Sequence, residues 1–387
     1  MSFMRILMFF VSILIMFSVF LTPKTYALEN PLEKPNNVMG IHILFPSELS
    51  EAAELVNSSG GSWGYVTIPI QAGDKDLVKW QSFMDECKRL KLIPLIRLAT
   101  EGDYFNTKVW RTPKATDIVD FANFLNSLSW PTENRYVIVF NEVNRGDEWG
   151  GSVDPSEYAQ ILSYAVTVFK SKSPDFFMIS SGMDNAAPSQ GLMYMDQYEY
   201  VRQMNKSVPG IFNQIDGISS HSYPNPAFSQ PPSVNTSKSI YSFKYERELV
   251  ESMSTKKLPV FITETGWISE KITDEMRAEY YKEALSNAWS DSGIVTITPF
   301  LLHAAGGPFQ TFSFVNSDGT KTRQYESIRK MAKKKGVPTL GKDVLGSIDK
   351  EENTELPTKD FRYIENDKSE VSLSLGVRYI FAWMLKI

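Results

Sequence analysis

The sequence predicts an α/β chain folded as a (β/α)8 barrel of the TIM type with a short C-terminal extension, and three observations carry that expectation. Eight short runs of β-formers recur over about 300 residues, helical patterns lie between them, and no Gly-rich phosphate loop follows the first run. Parallel strands need helical crossovers, and eight such units close into a filled barrel. A doubly wound open sheet is the structural competitor, but it would normally carry that Gly-rich loop.

The first strand is expected over residues 38–44 (VMGIHIL), and residues 50–56 (SEAAELV) combine helical spacing with good helix formers. Gly60 and Gly61 close that helix before a second strand at 65–70. Residues 75–90 then place Leu77, Trp80, Phe83, Met84, Cys87 and Leu90 on one helical face. Further strands are expected at 93–98, 136–140, 176–180, 215–219, 260–263 and 294–299. Helical patterns between them include 115–128, 155–170, 240–253, 274–289 and 324–335.

The barrel accounts for residues 28–336, with a different segment on either side. Arg5 precedes an apolar run over 6–21, Pro23 breaks any helix there, and Thr25-Tyr26-Ala27 puts small residues at the −3 and −1 positions of a cleavage site. Residues 1–27 therefore read as a secretory signal peptide, so a secreted or extracytoplasmic location is expected. The run is shorter than the ~20 residues that usually span a bilayer; an uncleaved anchor is the alternative, and membrane contact would run through this segment alone. Residues 337–387 form the extension. Its stretch from 342 to 370 is polar and reads as a solvated linker, 371–375 alternates like a strand, and 379–385 is apolar but too short to cross a membrane.

Composition narrows the chemistry. With 387 residues, 42% hydrophobic and 13% aromatic, the chain can bury a large core, which excludes a disordered, collagen-like or small disulfide-stapled protein. A net charge of −5, with Lys333, Lys334 and Lys335 as the main basic cluster, gives no general attraction to nucleic acid. Cys87 stands alone, and His42, His221 and His303 include no i, i+4 pair, so Cys-based zinc and HExxH-type sites are excluded. The sequence calls for no metal and no cofactor. Carboxylates remain as the reactive groups.

In a barrel of this kind the active site lies at the C-terminal ends of the strands. Glu142, in Phe140-Asn-Glu-Val-Asn144, ends the fourth strand, and Glu264, in Thr263-Glu-Thr-Gly-Trp267, ends the seventh. An ionisable residue directly after four β-formers is a poor choice for packing, because its charge needs partners at the rim. A rim salt bridge is the plain alternative for either residue alone. Two carboxylates across a barrel mouth suit cleavage of a glycosidic bond. One attacks the anomeric carbon and the other protonates the leaving oxygen, with a spacing of roughly 5–5.5 Å for retention and 6.5–9.5 Å for inversion.

Other residues near the strand ends are candidates for binding. Arg97, ending strand three, could pair with Glu264 or bind substrate, and His42 on strand one is expected to line the interior or pack in it. Tyr104, Phe105, Trp110, Trp149 and Trp267 could stack on pyranose faces or serve as packing. Gly60-Gly-Ser-Trp-Gly64 matches a serine-hydrolase pattern, but a helix precedes it and a strand follows. Ser62 therefore belongs in a loop at the bottom of the barrel. Asn57-Ser-Ser and Asn235-Thr-Ser match glycosylation sequons.

At these residues the chain resembles the glycoside hydrolases of clan A, the retaining (β/α)8 glycosidases that include the cellulase-like family 5, family 39, and families 17 and 53. The clan is similar in carrying an Asn-Glu pair at the end of strand four and a glutamate at the end of strand seven. The resemblance implies that Glu142 is the acid/base, Glu264 the nucleophile and Asn141 a donor to the sugar 2-hydroxyl. His221-Ser-Tyr223 looks like the clan's His-x-Tyr element, which implies that Tyr223 orients the nucleophile and His221 lines the site. The chain departs from family 5 in having Val143 after Glu142 and no Trp in Thr298-Pro-Phe-Leu-Leu-His303, so Phe300 or His303 would form that wall. The expected function is an exported retaining glycoside hydrolase acting on an oligo- or polysaccharide. A non-catalytic carbohydrate-binding pseudoenzyme and a transglycosylase using the same site are the alternatives.

Overall fold

The computed structural model describes residues 28–100, 108–304 and 307–342. Residues 1–27, expected to be a signal peptide, and the extension beyond 342 lie outside the described residues, as do Tyr104 and Phe105. Among the described residues no helix is long and apolar enough to cross a membrane.

Among the described residues there are eight strands: β1 (Gly40–His42), β2 (Gly64–Gln71), β3 (Leu92–Ala99), β4 (Arg135–Ile138), β5 (Phe176–Ile179), β6 (Ile218–His221), β7 (Val260–Glu264) and β8 (Ile294–Ile297). They pair in parallel as β1-β2-β3-β4-β5 and β6-β7-β8. Isolated parallel bridges from Ile179 to Gly217 and from Met39 to Ile297 join the two sheets at both seams. The expected (β/α)8 barrel is the fold.

Helices fill the crossovers: α1 (Leu49–Val56), α2 (Leu77–Leu90), α3 (Ala115–Ser127), α4 (Pro155–Lys172), α5 (Gln197–Ser207), α6 (Ile211–Gln214), α7 (Ser242–Glu251), α8 (Asp274–Ser286) and α9 (Arg323–Lys330). Several begin where a short polar side chain takes up a free N–H. Asp76 accepts from Lys79 N at 3.0 Å, and Asp154 accepts from Ser156 N and Glu157 N, both at 2.9 Å. In α2, Trp80, Phe83, Met84 and Cys87 are buried as their spacing demands, whereas Leu77 in its first turn is 43% exposed. α9 stops five residues short of its expected end at 335. There Lys333 Nζ folds back to donate to Ile328 O and Ser58 Oγ, satisfying a terminal carbonyl, and Lys335 bridges to Ser62. That contact puts Ser62 at the bottom of the barrel, as its helix-before-strand order requires.

The boundary at 336 moves outward. Val337 N donates to Pro35 O at 2.9 Å, Thr339 O accepts from Glu133 N at 2.8 Å, and Gly341 N donates to Pro131 O at 3.1 Å. The hydrogen-bonded body therefore continues through residue 341.

The barrel interior changes character from bottom to top. Tyr65, Tyr136, Phe177 and Phe261 interlock at the bottom, with ring centroids 5.0 to 6.3 Å apart. Two residues beyond Tyr65 and Phe261 the lining becomes polar, where Thr67 shares a hydrogen bond with Thr298 at 2.9 Å and Thr263 pairs with Ser219, while Ile138 and Ile179 keep it apolar on the β4–β5 side. Alternation of side chains puts Ile93, Leu95 and Arg97 on one face of β3, so the guanidinium emerges above the apolar floor at the mouth.

Candidate active site

Glu142 and Glu264 meet at that mouth, 9% and 7% exposed. The backbone around Glu142 is unusual: φ is +70° at Phe140 and +35° at Glu142, a left-handed region that costs a side chain about 1–2 kcal/mol. Such strain persists where surrounding contacts impose it, and Glu142 N is tied to Gly182 O at 2.9 Å. On the other side, β6 slips in register against β7 between Ser220 and His221, which sets His221 opposite Glu264.

Each oxygen of Glu264 has partners. Arg97 Nη1 donates to Oε1, and Tyr223 OH donates to Oε2 at 3.0 Å. His221 Nδ1 lies 3.7 Å from Oε2, and His42 Nε2 lies 3.7 Å from Oε1. Burial pushes the Glu264 carboxyl up, but His221 and Arg97 outweigh it and hold its pKa down at about 2. The resemblance implied this orienting role for Tyr223, and the contact is present. Of the two roles open to Arg97, the structure displays the pairing with Glu264.

Glu142 faces His221 Nδ1 through Oε1 at 3.0 Å and accepts from Arg145 Nη1 through Oε2 at 3.0 Å. His221 is thus more than a lining residue, because its Nδ1 sits between the two carboxyls. Burial pushes its pKa down, but the Glu264 charge and the hydrogen bond and charge of Glu142 raise it above the ordinary value. Asn141 accepts from Arg97 Nη1 through Oδ1 at 2.8 Å, which leaves its amide N–H side for a ligand. His42 is fully buried, with its pKa lowered to about 3 by desolvation first and by Arg97 next, so it is neutral. It meets Phe300 edge to face at 5.1 Å.

One oxygen of Glu142, one of Glu264 and a ring nitrogen of His221 lie within 4.8 Å of one another. The trio fits a metal poorly. Two guanidiniums already occupy these carboxylates, and a third cation there would be repelled.

Two expected sugar platforms are corrected. Trp267 is 0% exposed; its ring packs on Tyr281 at 5.0 Å and Trp289 at 6.0 Å, and its Nε1 donates to Gln230 O. Trp149 is 1% exposed between Phe140 and Tyr158, with Nε1 donating to Glu157. Neither indole has a free face to offer a ring, so both are core. The aromatic wall beside Glu264 is instead made of Tyr223, Phe228, Phe300, Phe309 and Phe312, which contact one another edge to face. Phe300 was one of the two residues expected on that wall. Trp110 is partly buried, with its backbone N donating to Asp147 O. Of the sequons, Asn57 has its amide committed to Leu90 O and Lys91 O, whereas Asn235 is exposed.

Arg145, Asp147 and Asp184 join the site without having been singled out by the sequence. The available signal was local: an Arg three residues after Glu142, with Asp two residues further on. Gly182 is a similar case. A Cβ there would lie 2.2 Å from His221 Cδ2 and 2.4 Å from Nε2, so Gly182→Ala must displace the imidazole. We expect that variant to fold, to change the pH titration of the His221 ring in NMR spectra, and to lose activity; an unchanged titration would refute the packing argument.

No family model matches the chain, and no curated protein matches its sequence. Solved structures do match in fold. A family 39 glycoside hydrolase from Bacteroides cellulosilyticus WH2 is 16% identical with a TM-score of 0.54, covering 78% of this chain and 64% of its own. A GH39 β-xylosidase from Caulobacter crescentus is 15% identical with a TM-score of 0.54, covering 76% and 71%. A GH5_18 protein from Streptomyces cattleya, solved in complex with GlcNAc, is 13% identical with a TM-score of 0.54, covering 77% and 80%. The chain spans less than two thirds of the length of the first of these. The fold of this chain is therefore the (β/α)8 barrel of the family 39 and family 5 glycoside hydrolases.

Proposed function

We propose that the protein is a retaining glycoside hydrolase acting on an oligo- or polysaccharide by double displacement. The observation that carries the reading is the pair of buried glutamates at the mouth, with facing oxygens within 4.8 Å and unlike surroundings. That gap sits with the roughly 5–5.5 Å of retaining enzymes rather than the 6.5–9.5 Å that inversion needs to admit a water. Glu264, kept ionised by Arg97, Tyr223 and His221, is the nucleophile. Its Oε attacks the anomeric carbon while Glu142 gives a proton to the departing oxygen, and a glycosyl ester forms on Glu264. Glu142 then takes a proton from water, which attacks the same carbon and releases Glu264. Asn141 offers its amide N–H to a sugar hydroxyl, and the phenylalanine wall supplies an apolar face for the ring.

The test is a glycan panel followed by NMR of the first product formed. Release of a reducing sugar with the substrate's anomeric configuration is expected. Inverted product, or glycan binding with no cleavage across the panel, would overturn the reading; transfer to an added sugar in place of water would identify a transglycosylase. Export is part of the same proposal, supported by the leader-like residues 1–27. Mass spectrometry of protein from the culture medium should find a mature N-terminus at Leu28.

A further inference from the structure

Both oxygens of Glu142 are engaged, and by unlike partners. Oε2 accepts from Arg145 and Oε1 faces His221 Nδ1. A guanidinium only donates and is cationic, so its contact disfavours a proton on Oε2, whereas an imidazole nitrogen can give or take one at Oε1. Arg145 is itself fixed. Its Nε and Nη2 donate to the two oxygens of Asp147 at 3.1 and 2.7 Å, and Asp184 Oδ2 lies 4.0 Å from Nη1. The turn that carries it is tied on three sides: Arg145 N to Glu142 O at 2.9 Å, Gly146 N to Met193 O at 2.7 Å, and Asp147 O to Trp110 N at 2.7 Å.

We propose that Arg145 is a positioning residue, which locks the Glu142 carboxyl and confines its transferable proton to Oε1, the oxygen it shares with His221. The proposal rests on Glu142 being the acid/base. In glycosylation the O–H bond at Oε1 breaks as the proton bonds to the leaving oxygen, which keeps the electron pair of the broken C–O bond. In deglycosylation a proton of the attacking water returns to Oε1. The groups facing Arg145 are Glu142 at the end of β4, Asp147 and Glu148 on its own turn, Asp184 beyond β5 and Tyr194 in the following loop; His221 and Glu264 lie on the far side of Glu142.

Arg145→Gln tests this, with Arg145→Gln/Asp147→Asn as a partner that removes the half-buried carboxylate the single variant would strand. The probes are β-linked disaccharides and the 2,4-dinitrophenyl β-glycosides of glucose, xylose and mannose. For a disaccharide, whose leaving oxygen needs a proton, kcat/KM should fall on the order of 10²-fold. For the dinitrophenyl glycoside, which leaves without one, the change should stay within about threefold. Equal losses on both leaving groups would overturn the proposal. A second readout does not depend on turnover. In ¹⁵N spectra of the His221 ring, the protonation midpoint should rise in both variants, and an unmoved midpoint would overturn the clamp. A moved midpoint in a protein that hydrolyses no glycoside would uphold the clamp and overturn the hydrolase reading.

Discussion

Glu264→Gln lowers kcat/KM on a glycoside the wild type cleaves by on the order of 10⁴-fold or more, with the barrel still folded. The amide has nearly the shape of the carboxylate but cannot form the glycosyl ester, so the first displacement is lost. Azide separates the two glutamates. With Glu264→Ala it occupies the vacated space and attacks the anomeric carbon once, giving a product of inverted configuration. With Glu142→Ala and a dinitrophenyl glycoside it replaces water in the second step and gives retained configuration. Products of the same configuration from both variants, or near-normal activity in either, would end the assignment of roles.

The same substitution should change acid stability, and the sign follows from the electrostatics. Glu264 is held at about 2 in the folded protein against an ordinary 4.5, so its ionisation adds stability that is complete above about 4.5 and is lost as pH falls toward about 2. His221 works on the opposite limb: its raised pKa adds stability below its ordinary 6.5 that disappears as pH rises past the folded value. Urea unfolding between pH 6 and pH 2 should therefore fall more steeply for the wild type than for Glu264→Gln. Parallel curves would mean that the Arg97, His221 and Tyr223 contacts do not stabilise the charge.

Trp267→Ala should destabilise the fold by about 3–5 kcal/mol, because it empties a site enclosed by Tyr280, Tyr281 and Trp289. It also removes the indole donor from Gln230 O. The protein that remains folded should keep KM within about threefold of wild type, since no face of the ring reaches the mouth. Thermal unfolding and steady-state kinetics on one preparation decide the matter: an unchanged Tm with a raised KM would restore Trp267 as a sugar platform.

The strands were legible wherever one run of β-formers ended in a charge or a turn. β2, β3, β4, β5, β7 and β8 begin within one residue of their expected positions. β6 begins three residues later, because Asp216 and Gly217 are drawn to the end of β5: Asp216 accepts from Met178 N at 2.8 Å, and Gly217 bridges to Ile179. Glu142 and Glu264 were legible for the same reason as the strands, since a carboxylate closing a run of β-formers has to emerge at a strand end. The tryptophans were not. Proximity in sequence to Glu264 does not say which way an indole points, and Trp267 turns outward between the barrel and α8.

What the sequence determined by itself was the order of elements, the closure into eight units and the two glutamates at strand ends, because period and polarity are local properties that each segment carries alone. What only the tertiary structure decided was the company those glutamates keep. Arg97 and His221 come from strands far apart in the chain, Gly182 matters only because an imidazole fills the space above it, and Arg145 acts only because Asp147 and Asp184 hold it against Glu142. A carboxylate's chemistry is set by the charges and donors within a few ångströms of it, and that neighbourhood exists only after the barrel has closed.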